Sequence, residues 1–149
     1  MSKPFDATLK ELIRASPTDW LTQLGVPVTG AIEIVSADLS TVTAAADTLV
    51  RVGDRIIHID VESGPDDSLA RRMLLYNALA HHRTKLPVRS IVVLLWSNTR
   101  LANQTDRVEY ENLSFVFEVV RVWELPAEGF LHGGLGLLPL SVAHKPSPE

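Results

Sequence analysis

The stretch that most limits how this chain can fold runs Thr48-Leu49-Val50-Arg51-Val52, then Gly53-Asp54, then Arg55-Ile56-Ile57-His58-Ile59-Asp60-Val61-Glu62. Two runs rich in β-branched residues flank a Gly-first pair, the pattern of a hairpin with a two-residue turn. Counting outward from that turn sets Val52 opposite Arg55, Val50 opposite Ile57 and Asp47 opposite Asp60. Strand alternation then sends Ile57, Ile59 and Val61 to a core face, and Ile56, His58, Asp60 and Glu62 to the other, with Asp47. Three carboxylates, Asp47, Asp60 and Glu62, are thus expected to converge at one end of the hairpin. Opposed like charges disfavour a sheet. A divalent cation relieves them, because Mg2+ or Mn2+ takes carboxylate oxygens and keeps several waters. Such an ion polarises a phosphoryl oxygen and lowers the pKa of a bound water. The competing reading of the same residues is a solvated polar face at a strand end, where carboxylates are common.

The rest of the chain reads as elements that can cover this hairpin. Asp6 to Ala15 predicts a helix, with Asp6 as N-cap and Leu9, Leu12 and Ile13 on one side. Ser16-Pro17 starts a second, shorter helix that buries Trp20, Leu21 and Leu24 and stops at Gly25. Thr29 to Leu39 is compatible with a short strand followed by a loop. The break at Ser63 to Asp67 supplies a helix cap, and Ser68 to Thr84 predicts a helix with Leu69, Met73, Tyr76 and Ala80 along one face. Val88 to Trp96 predicts a strand buried on both faces, and Val108 to Val122 one or two more. A short helix around Leu125 to Leu131 and a Gly-rich turn are expected next. The order predicts an α/β sandwich with a mixed central sheet flanked by helices. One domain is expected over residues 1–143, with a loose tail over 144–149.

Composition narrows the function classes. With 149 residues, 46% apolar and 21% charged, the chain can bury a full core, so wholesale disorder is not expected. It has no cysteine, which excludes disulfides, thiolate zinc sites and a cysteine nucleophile. The N-terminus lacks the apolar run of a signal peptide, and the longest apolar run, Ile91 to Trp96, is far below the ~20 residues of a membrane span. A cytoplasmic location without a membrane partner is the expectation. The net charge of −4 argues against a non-specific DNA coat. Contact with DNA would need a local patch or a bound cation.

At the hairpin the sequence also resembles a known family. Ala46-Asp47-Thr48-Leu49-Val50-Arg51-Val52, Ile57 to Ser63, and Arg72 with Tyr76 resemble the Rpn family of recombination-promoting nucleases and transposases, within the PD-(D/E)XK nuclease superfamily. The helix around Lys10-Glu11-Leu12, the strand from Val88 to Leu95, and the Val122-Trp123 and Leu138-Pro139-Leu140 segments are similar too. The likeness runs from about Phe5 to Leu140. It implies a restriction-endonuclease-like sandwich and a Mg2+- or Mn2+-dependent DNA endonuclease or transposase-associated nuclease. Asp47, Asp60 and Glu62 would be metal ligands, and these three with Arg72 the catalytic set. Two positions depart from the family pattern: Asp60 stands where the family has Glu, and Glu62 where it has Gln or, in the wider superfamily, Lys. A Glu cannot supply positive charge, so Glu62 is expected as third ligand or base and Arg72 as the cation that stabilises phosphoryl charge. DNA is the expected partner, and a homodimer is left open. The alternative is a catalytically inactive nuclease-fold protein acting as an interaction or assembly module.

Other residues carry weaker signals. Glu11 is an outside candidate for a second metal. Arg71, Arg72, Arg83, Lys85 and Arg89 form the densest basic region, more in keeping with a solvated helix face than with a DNA footprint. His58 reads as a structural histidine. His81-His82 lacks the i,i+4 spacing of a zinc pair, Gly133-Gly134-Leu135-Gly136 lacks the strand–helix setting of a phosphate loop, and Ser40, Ser63 and Ser68 have no nucleophile context.

Overall fold

A computed structural model of the protein describes residues 3–35, 48–64, 66–97, 105–126 and 128. Its centre is the hairpin. Strands β2 (Thr48–Val52) and β3 (Arg55–Glu62) pair antiparallel, with Val52 opposite Arg55 and Val50 opposite Ile57, as counting requires. Gly53 adopts φ +59° and Asp54 does not follow it into positive φ. That asymmetry is the Gly-first hairpin turn, whose twist matches the strands it joins. Strand β1 (Ile32–Val35) adds antiparallel to the outer side of β2.

The other side of β3 is parallel. From Glu62 the chain crosses over through helix α3 (Leu69–Thr84) and returns as β4 (Val88–Leu94), which pairs with β3 in parallel. Strand β7 (Glu118–Arg121) lies parallel to β4 and completes a five-stranded sheet of order β1-β2-β3-β4-β7. The mixed sheet predicted from the α/β pattern is therefore present.

Helices α1 (Lys3–Ala15) and α2 (Pro17–Gln23) cover one face. Leu9, Ile13, Trp20 and Leu21 pack there against Val50, Ile57, Ile59, Val61, Ile91 and Val93, all buried. Helix α3 covers the opposite face, where Leu69 and Met73 meet Val92 and Leu94, and Ala80 meets Leu49 and Ile56. Because apolar residues fill both faces of β4 from Ile91 to Leu94, that strand reads as a near-continuous hydrophobic run, whereas β3 alternates, with Ile57, Ile59 and Val61 on the α1 face and polar residues beyond Ile56 on the other. Each buried Leu, Ile or Val contributes about 1.5–3 kcal/mol relative to exposure.

Several local expectations change. Helix α1 begins at Lys3, ahead of the expected cap at Asp6. Ser16 precedes α2 without a side-chain cap bond, and Pro17 sets the first turn instead. The segment after β4 holds three short strands where one or two were expected, because Glu111-Asn112, with Asn112 at φ +68°, folds β5 (Arg107–Tyr110) back onto β6 (Leu113–Val116) as a separate hairpin. Past β7 only a 3-10 turn, Val122–Glu124, is described. Of the expected helix around Leu125 to Leu131 only Leu125, Pro126 and Glu128 are described, with Glu128 helical; the Gly-rich turn, the 144–149 tail and Ser40 lie outside the described residues.

No described helix is long and apolar enough to cross a membrane.

Candidate functional site

Asp60 and Glu62 sit at the C-terminal end of β3, level with Val92 and Leu94 of its parallel neighbour β4. In open α/β sheets this end of parallel strands is where ligands bind. Alternation puts both carboxylates on the face covered by α3, together with His58 and Ile56. The solvated polar face considered from sequence is not what forms. Asp60 is only 2% exposed, because the helix that the β3–β4 crossover requires lies over it.

Arg72, in the first turns of α3, meets these carboxylates. Its Nη2 donates to Asp60 Oδ2 at 2.8 Å and to Glu62 Oε2 at 2.7 Å. Its Nη1 donates to Asp66 Oδ2. One guanidinium therefore ties together the strand end, the connecting loop and the helix. Burial works against its charge, but the field of Asp60 and the hydrogen bonds to Glu62 and Asp60 outweigh it and raise its pKa. It stays protonated throughout the physiological range.

Asp66 belongs to this cluster although its sequence context reads only as a helix break. Its Oδ1 accepts from Ser68 N at 2.8 Å and from Ser68 Oγ at 2.6 Å. It thus caps the entry to α3 from within the Ser63–Asp67 break, as expected, while Ser68 makes no side-chain cap bond of its own. Burial pushes the Asp66 carboxyl up, but the Ser68 bonds and Arg72 more than offset this and hold it below its ordinary value.

Lys10 is the second addition. It reaches from α1, on the other side of the sheet, and brings Nζ to 3.8 Å from Asp60 Oδ1. That contact depends on which way α1 faces the end of β3, so no local sequence pattern announces it. Its neighbour Glu11, the outside candidate for a metal ligand, is instead exposed and paired with Arg14. Helical geometry explains the exchange: adjacent residues lie about 100° apart, so Lys10 and Glu11 cannot both face the site.

Among the described residues around Asp60, three carboxylates (Asp60, Glu62, Asp66) thus meet two cations (Arg72, Lys10), a net charge of −1 for these five. Asp47, the remaining expected ligand, lies outside the described residues. The described hairpin register ends at Thr48 opposite Ile59. Among the described residues no group of three or more His, Cys, Asp or Glu is arranged to hold a metal ion. The donor chemistry of Asp60 and Glu62 nonetheless fits a hard divalent ion. Two anionic oxygens from one strand already converge on a single cationic atom, Arg72 Nη2.

The other singled-out residues separate from this cluster. His58 is fully buried, with Nδ1 2.9 Å from Ser90 Oγ. Ser90 Oγ also accepts from Asn77 Nδ2 at 2.9 Å, and the same Asn77 nitrogen donates to Val88 O at 3.0 Å. The Tyr76 ring meets His58 edge-on at 6.0 Å. His58 and Tyr76 therefore bolt α3 to the sheet beside the carboxylates. Of the basic region, Arg72 turns inward, Arg89 forms a two-pronged pair with Glu118, and Arg71, Arg83 and Lys85 are exposed. His81 Nδ1 engages Leu86 O, a bond that closes the end of α3.

No protein-family model, curated protein or solved structure matches the chain.

Proposed function

We propose that this protein is a metal-dependent DNA endonuclease, or a nuclease associated with a transposase, built on a restriction-endonuclease-like sandwich and hydrolysing phosphodiester bonds. The observation that carries the reading is the pairing of buried Asp60 with Glu62 at the C-terminal end of β3, both directed at one cationic atom. The resemblance of the Asp47, Asp60–Glu62 and Arg72/Tyr76 spacing to the Rpn family supports it.

In this reading Asp60 and Glu62, with Asp47, hold Mg2+ or Mn2+. When bound, such an ion supplies polarisation of a phosphoryl oxygen and a water of lowered pKa. Arg72 stabilises the charge that develops on the phosphoryl group, and its planar fork suits phosphate oxygens. Lys10, beside Asp60, supplies the positive charge that Glu62 cannot. These two cations give an acidic chain a local place for a phosphate backbone.

A specific observation favours a second reading, a catalytically silent relative used as an interaction or assembly module. Arg72 alone already engages all three carboxylates, so the cluster can serve as an internal ion-pair clamp without a metal.

Plasmid nicking with Mg2+ or Mn2+ separates the two. The nuclease reading expects nicking by the wild type and loss of at least about a hundredfold in Asp60→Asn or Asp47→Ala, a magnitude in keeping with removal of a metal-bearing or charge-stabilising group. A folded wild type that leaves plasmid and linear DNA intact with either ion supports the silent relative.

A further inference from the structure

We infer that a cavity at the opposite end of β3 from Asp60 binds a small organic phosphate, a phosphate monoester on an apolar body, through Arg55 and Arg89. The inference does not draw on the nuclease reading. The cavity measures about 570 Å3 and opens between the β2–β3 turn and the start of β4. That size falls within the ~300–1,000 Å3 of small-molecule sites. Val52, Pro87 and Val88 give it apolar surface, while Asp54, Arg55 and Arg89 give it charge. Ile56 N donates to Pro87 O at 2.8 Å. The first residues of β3 and the entry to β4 are thereby tied together, so the two strand walls keep their spacing.

Both arginines leave the same face of the sheet. Arg55 lies two residues before Ile57, so alternation gives them one face, and the parallel register sets Ile57 level with Arg89. The two guanidiniums therefore start from adjacent strands, one diagonal step apart. Arg89 is fixed, because its Nε and Nη2 donate to Glu118 Oε1 and Oε2 at 2.7 and 2.9 Å. That pair uses one edge of the guanidinium fork and leaves Nη1 uncommitted among the described residues. Arg55 has no hydrogen-bond or ion-pair partner among the described residues, although Asp54 precedes it in the chain.

A phosphate monoester matches this set. Its oxygens suit the planar donor fork of arginine, and its second negative charge answers the second guanidinium. Asp54, on the turn, repels an anion and so confines the phosphate to the β3–β4 side of the cavity. The ester substituent then lies on Val52, Pro87 and Val88, where it removes apolar surface from water. Arg55 is exposed, so solvent screens its attraction. Two cations and an apolar contact acting together give an expected affinity in the millimolar range.

Titration of the full chain with phenyl phosphate, followed by amide NMR, tests this, with phenol and inorganic phosphate as the two halves of the probe. Saturable shifts are expected at the amides of Gly53, Asp54, Arg55 and Arg89. Phenol and inorganic phosphate should each bind at least about fivefold more weakly. Arg55→Gln is expected to weaken phenyl phosphate by about fivefold or more, the loss of a charge-assisted hydrogen bond. Arg55→Lys, which keeps the charge without the fork, should fall between the two. Equal affinity in wild type and Arg55→Gln overturns the inference. So do shifts that never saturate, or that centre on Lys10 and Arg72 at the other end of β3. Phenol or inorganic phosphate binding as tightly as phenyl phosphate overturns the assignment to an organic phosphate. That comparison is made on the wild type and decides even if Arg55→Gln does not fold.

Discussion

Arg72 Nη2 and Asp60 Oδ2 lie 2.8 Å apart across the interface between α3 and the end of β3. This bond joins the crossover helix to the strand it has just left. It also binds the most buried carboxylate of the cluster to a cation from another element. Removing Arg72 takes the close cation from Asp60, Glu62 and Asp66 at once and leaves Asp60 with the longer 3.8 Å contact to Lys10. Arg72→Ala should therefore destabilise the fold by about 3–5 kcal/mol, the cost typical of breaking a buried pair from one side. Urea unfolding of the two proteins measures it, and a loss under about 1 kcal/mol would mark the pair as solvent-screened.

Asp66 gives the acid limb of stability a specific residue. Its folded pKa is lowered from the ordinary 3.8, so the folded state binds its proton less readily than the unfolded chain. The stability this supplies is present above the unfolded value and is lost as pH falls through the folded one. Urea midpoints should therefore drop below about pH 4, with Asp66→Asn showing a shallower fall than wild type over that range. Parallel curves for the two proteins would remove Asp66 as a contributor.

The buried bond set of His58, Ser90 and Asn77 makes a third prediction. Ser90→Ala leaves His58 Nδ1 without its 2.9 Å partner and deprives Asn77 of one acceptor. A buried polar group left unsatisfied costs about 1–3 kcal/mol. Chemical denaturation of Ser90→Ala, Asn77→Ala and the double variant should give a non-additive cycle, because both side chains act through the same hydroxyl.

At the hairpin turn, Gly53 holds φ +59°, and a Cβ there would meet nothing closer than Thr29 O at 3.7 Å, an ordinary contact. The cost of Gly53→Ala is then backbone conformation alone, about 1 kcal/mol. A melting-temperature comparison reads it, and Gly53→Asn, which tolerates the left-handed region better, should recover part of the loss.

The sequence alone determined the hairpin, its register and the two residues of its turn, because strand alternation and turn chemistry act between near neighbours in the chain. It also determined the buried face of α3, where Leu69, Met73, Tyr76 and Ala80 follow helical periodicity, and the two-sided burial of β4. Residue spacing placed Asp60 and Glu62 on one face for the same reason. What it could not determine was the environment of that face. Tertiary structure decided it, because the parallel β3–β4 pair sends α3 over the carboxylates and converts an apparently open strand end into a buried cluster. Lys10 reaches Asp60 from a helix on the opposite layer, and Asp66 joins through a loop turn rather than a strand or helix period. Charge compensation at Asp60 thus comes from residues that meet only when the layers close, since contacts between layers leave no period in the sequence.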